Sequence, residues 1–89
     1  MAELSRFYGV VIAIFFRGEF GRHKSPHVHV RSQGKWAEVG LDGEILAGKL
    51  PPTAKWMVKR WMRLHRDEVR AAWKDARRGR APHKIEPLP

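Results

Sequence analysis

Neither glycine nor proline occurs from Ala54 to Arg78, and the apolar residues in that stretch repeat at three and four. At ~100° per residue, Ala54, Met57, Val58, Trp61, Met62, His65, Val69, Ala72 and Ala76 fall on one broad arc. Such a pattern permits helix and little else, and an arc this wide must be buried against another apolar surface. The spacing therefore predicts one long helix, or two short ones if the chain breaks near His65-Arg66-Asp67, laid across a sheet supplied by the first half. Gly48-Lys-Leu-Pro-Pro52 is the loop before it, Thr53 is the expected N-cap, and Gly79 ends it.

The first half has strand chemistry. Phe7 to Arg17 is rich in Val, Ile and Phe on both faces, as for a covered strand or one with a bulge near Gly9. Gly18 to Ser25 is a polar turn. Pro26 opens a strand to Arg31 or Ser32, Ser32-Gln-Gly34 turns, and Lys35 to Leu41 forms the next strand. In that strand Trp36 and Glu38 share one face and Ala37, Val39 and Leu41 the other. Asp42-Gly43 signals a hairpin leading to a short edge strand at Glu44–Ala47. The expected fold class is α+β: a small antiparallel sheet of three or four strands packed against one long or two short C-terminal helices. At 89 residues this is one domain, taken as 1–78, followed by a flexible Pro-rich basic tail at 79–89.

A hydrophobic fraction of 43% suits a globular chain rather than a disordered one. The chain has no Cys, which excludes disulfides and thiolate metal sites and fits a reducing compartment. The run Phe7–Phe16 is far short of the ~20 apolar residues a spanning helix needs. It also lacks the basic start and small-residue cleavage site of a secretory signal. The expectation is a cytoplasmic protein with no membrane association.

Charge points to a partner. Eighteen Lys and Arg against nine Asp and Glu leave a net charge of +9. Lys55, Lys59, Arg63, Arg66, Arg70, Lys74 and Arg77 recur every three or four residues, so they stack in one row opposite the apolar arc, flanked by Arg60 and Arg78. On an unbroken helix the row would run roughly 33 Å. Like charges at this spacing weaken a helix by a few tenths of a kcal/mol per pair, a cost that helix stability alone does not explain. Polyanions bind such rows, and Trp56 on the same face could stack on bases. Trp73, at the border, suits core packing better. A solvated face remains the plainer alternative.

Ser25-Pro-His-Val-His-Val-Arg31 sets His27 and His29 on one face of a strand. Three uses are open. The histidines are candidate catalytic acid–base groups for metal-free RNA cleavage, with Lys24 or Arg31 stabilising the phosphorane. They have the His-x-His spacing of metal sites, for which His23, Glu38 or His65 would have to complete the shell. Otherwise they hydrogen-bond across the sheet and specify fold or partner. With no second tight motif, no metal and no cofactor are expected. His65, on the apolar arc, is a core histidine.

The order of these features resembles a bacterial family, the domain of unknown function 4160. Its pattern is a Phe-rich first strand, a Glu-His-x-Pro-Pro-His-Val-His-Val motif, a hairpin, and a helix with His-Arg near its middle and Trp near its end. The matching residues are Phe15, Phe16, His23, Pro26, His27, Val28, His29, Val30, Leu41, His65, Arg66 and Trp73, covering about residues 7 to 76. Arg22 stands where the family has an acidic residue, and Ser25 replaces its first proline. The resemblance implies a small α+β domain with no established activity. It also implies a genomic neighbour of the toxin–antitoxin kind.

Together these readings predict a nucleic-acid-binding protein, RNA rather than DNA, using the seven-cation row and Arg31. The first alternative is an interaction module that docks an acidic protein partner without nucleic acid. The second is a ribonuclease using His27 and His29.

Overall fold

A computed structural model describes residues 1–15 and 25–89 of the chain. The expected polar turn before the His motif, with His23, Arg22 and Lys24, lies outside the described residues, as does Phe16. The elements run β1 (Ala2–Phe7), β2 (Val10–Ile14), β3 (His27–Ser32), β4 (Lys35–Gly40), β5 (Ile45–Gly48), α1 (Pro52–Leu64) and α2 (Arg66–Arg77). The five strands form one antiparallel meander in sequence order, with two helices after it.

The class is the expected α+β, but the sheet has five strands rather than three or four. The extra strand is β1. Tyr8 and Gly9 both take positive φ (47° and 76°), the signature of a two-residue type I′ hairpin turn. That turn divides the apolar run expected to be a single strand, so Phe7 closes β1 and Val10 opens β2. Gln33 (φ 51°) and Gly34 (φ 73°) make the same turn between β3 and β4.

One face of the sheet is the core face. Val10, Ile12 and Ile14 of β2, Val28 and Val30 of β3, and Ala37 and Val39 of β4 are buried there. Val58, Trp61 and Met62 of α1 and Val69, Ala72, Trp73 and Ala76 of α2 cover them. The helical arc is as the periodicity predicts, and Trp73 belongs to the core.

The helix does break at His65, which has φ −119° and ψ 25°. Asp67 and Glu68 lie in the first turn of α2, where negative charge suits the positive end of the helix dipole. Thr53 is not the N-cap: the helix starts with Pro52, whose missing N–H costs nothing at that position, and no side chain caps it. Gly79 (φ 74°) ends α2 in a Schellman arrangement, with Gly79 N–H donating to Ala76 O (3.1 Å) and Arg80 N–H to Asp75 O (2.8 Å).

The C-terminal segment, expected to be a flexible tail, is tied back. Ile85 N–H donates to the Leu4 carbonyl at 2.8 Å, and the Trp61 indole N–H donates to the Glu86 carbonyl at 2.8 Å. Ile85 and Leu88 are buried in the same core. Prolines exclude this segment from helix and sheet without preventing it from packing. Among the described residues no helix is long and apolar enough to cross a membrane.

Candidate functional site: a basic helical face and a histidine cluster

The break at His65 divides the cationic row, with Lys55, Lys59 and Arg63 on α1 and Arg66, Arg70, Lys74 and Arg77 on α2. The continuous rod expected from an unbroken helix is therefore absent. Lys59 pairs with Glu44 of the β4–β5 loop at 3.2 Å. Lys55, Arg63, Arg66, Arg70 and Lys74 are exposed and have no ion-pair partner among the described residues. The Arg77 guanidinium lies 5.7 Å from the Trp73 ring.

The α1 part of this face also carries aromatic surface. Trp56 is 62% exposed, an unusual place for the largest apolar side chain. The Arg60 guanidinium sits 5.9 Å from its ring centre, within cation–π range. Trp56, Lys59, Arg60, Arg63 and Leu64 line a shallow hollow of about 340 Å³. Cations and an open indole are thus side by side on a rigid helix.

Arg31 lies elsewhere. Alternation along β3 sends Val28 and Val30 to the core and His29 and Arg31 to the opposite face of the sheet, away from the helices. There Arg31 pairs in register with Val11 and Trp36, and His29 with Ala13 and Glu38. A hollow of about 560 Å³ opens on this face, lined by Glu3, Arg6, Phe15, His29, Arg31 and Trp36 among others. Arg6 and Glu3 pair at 2.7 Å, and the Arg6 hydrogen bond holds the Glu3 carboxyl below its ordinary pKa. Periodicity alone did not reveal this second surface, because the β1 side of it belongs to the strand the sequence concealed.

The two histidines differ in environment. His27 is 2% exposed, its ring centre 5.0 Å from that of Trp73. His29 stacks on Phe15, with ring centres 3.8 Å apart and planes within 12°. The imidazole centres are 5.5 Å apart. His29 Nε2 lies 3.7 Å from Glu38 Oε1, and His27 Nδ1 lies 2.8 Å from the Ser25 carbonyl oxygen. His27, His29 and Glu38 each place one ligand-capable atom within 4.8 Å of the others.

His65 is apart from this group, its Nδ1 at 2.8 Å from Glu68 Oε1 and its ring beside Trp61. Of the ligands the sequence offered, the structure thus brings in Glu38 and leaves His65 out. His23 lies outside the described residues.

No curated protein and no solved structure matches the chain. A family model does, over residues 9–74, which spans β2 through most of α2 and includes His27, His29, Glu38, Trp56 and the row as far as Lys74. The chain therefore belongs to the family described as Domain of unknown function (DUF4160).

Proposed function

We infer that the protein binds single-stranded nucleic acid, RNA rather than DNA, through the outer face of α1 and α2. The observation that carries this reading is the exposed Trp56 ring set among Lys59, Arg60 and Arg63. Phosphates draw cations wherever they are presented, but an uncovered indole between them adds a stacking platform for an unpaired base. Sequence-tolerant stacking suits single-stranded RNA, whose bases are splayed from the backbone. The net charge of +9 favours encounter with any polyanion. The family resemblance adds a second component to the reading, membership of a toxin–antitoxin-like pair.

The test is binding of a short labelled RNA to protein freed of nucleic acid, across a range of salt. If five cations of the row each meet a phosphate, log K falls against log salt with a slope of roughly −3.5, at about −0.7 per contact for single strands. Combined reversal of Arg63, Arg66 and Arg70 to Glu should abolish binding while the fold melts as before. Wild-type protein that ignores RNA at low salt, yet captures an acidic polypeptide from its own cells, would replace this reading with that of an interaction module.

A further inference from the structure

We propose that His27, His29 and Glu38 form a binding site for one divalent first-row transition-metal ion, with Zn²⁺ as the best match. The site is independent of the nucleic-acid face, since it is built on the sheet and uses none of the helical cations.

Sheet register makes the site. His27 and His29 are alternate residues of β3, and Glu38 of β4 stands directly opposite His29. A two-residue turn at Gln33-Gly34 leaves no slack in that pairing. The result is two imidazoles and one carboxylate on adjacent strands, with ligand-capable atoms within 4.8 Å of one another. Around an ion held at ~2.1 Å, nitrogen and oxygen ligands stand roughly 3.4 Å apart in a tetrahedron. His29 and Glu38 at 3.7 Å are already close to that spacing. The widest pair of the trio needs to draw in by up to about 1.4 Å, within reach of small χ adjustments.

The surroundings of His27 match those of a metal ligand. A carbonyl oxygen only accepts, so at 2.8 Å from Ser25 O the Nδ1 atom must carry the proton. Nε2 is then the nitrogen that would ligate, and a carbonyl partner on Nδ1 is the device by which ligating histidines are usually fixed in tautomer and orientation. Phe15 stacked on His29 and Trp73 against His27 hold the two rings. They also give the apolar walls that strengthen ion–ligand attraction.

Two nitrogens and one carboxylate oxygen suit Zn²⁺, and also Fe²⁺, better than Mg²⁺ or Ca²⁺, which take oxygen shells. Three protein ligands leave a fourth position, and the hollow that His29 shares with Arg31 is the side from which water or a small anion would reach it.

The experiment is titration of chelator-treated, tag-free protein with ZnCl₂ by calorimetry, repeated with Co²⁺ to read coordination from its visible absorption. The expected result is one ion per chain, a tetrahedral Co²⁺ spectrum, and a melting temperature that rises with added Zn²⁺. Glu38→Gln is nearly isosteric and His29→Gln lies at the sheet surface, so both should fold. Each should weaken Zn²⁺ at least tenfold. His65→Ala should bind as wild type does. Absence of stoichiometric Zn²⁺ binding by the wild type would overturn the proposal, as would unchanged binding by the Glu38 and His29 variants. None of these readouts involves RNA, so failure here and failure of the nucleic-acid reading are separate results.

Discussion

The indole N–H of Trp61, in the last turn of α1, donates to the backbone carbonyl of Glu86 at 2.8 Å. Trp61 is wholly buried and packs against Phe7 of β1, with ring centres 6.2 Å apart. One side chain therefore joins the first strand, the first helix and the C-terminal segment. Trp61→Phe keeps most of the apolar area but leaves that carbonyl without its donor, at a cost of about 1 kcal/mol. Leu88→Ala should cost about 2 kcal/mol through lost burial. Urea unfolding would show both as lower midpoints with unchanged slopes, and no loss for Leu88→Ala would mean the segment does not pack in solution.

Gly48 closes β5 with φ 81°, and a Cβ there would press on the Trp36 carbonyl and stand 2.9 Å from the Ala37 Cα. Backbone atoms in a sheet have nowhere to move. Gly48→Ala should therefore lose about 2–3 kcal/mol, more than the left-handed conformation alone would cost. Gly34→Ala is the control. It has a similar φ of 73° but open space around it, so its loss should be smaller.

Gln33 holds the first central position of a type I′ turn with φ 51°, and asparagine tolerates that conformation better. Gln33→Asn should raise stability by about 0.5–1 kcal/mol, measured by thermal or urea unfolding. It should also leave the His29–Glu38 register unchanged, which cross-strand NMR contacts would report.

Trp56→Ala should weaken RNA binding by about 1–3 kcal/mol, roughly five- to 150-fold, if a base stacks on the ring. Trp36, 56% exposed on the other side of the sheet, is the internal comparison. Trp36→Ala and Arg31→Glu should leave RNA affinity within about twofold. The opposite ranking would move the RNA to the sheet face. Indole fluorescence quenching in the two variants reads the difference.

What could be read from the sequence follows from how local each signal is. The helical arc and the strands at His27–Ser32 and Lys35–Gly40 depend on periods of 3.6 and 2, which neighbouring residues carry by themselves. Strand β1 did not announce itself. A register shift between Glu3 and Ser5, with Leu4 buried there, breaks its alternation, and the Tyr8-Gly9 turn sits inside an apolar run.

The packing of the C-terminal segment is hard to read from sequence for a related reason. Its anchors, Ile85 and Leu88, are isolated apolar residues among prolines and charges, and their partners come from far away in the chain. The His29–Glu38 juxtaposition is an intermediate case. A two-residue turn at Gln33-Gly34 counts the strands into opposition, Ser32 with Lys35 and so on to His29 with Glu38. What no count provides is the position of His27 beneath Trp73, which depends on how α2 crosses the sheet.

The bond from Ile85 to Leu4 closes a loop that takes in almost the entire polypeptide. Closing so long a span is entropically expensive until the sheet and helices between have collapsed, so this contact belongs to the last stage of folding. Until it forms, the core beneath α1 lacks the cover that Ile85 and Leu88 supply.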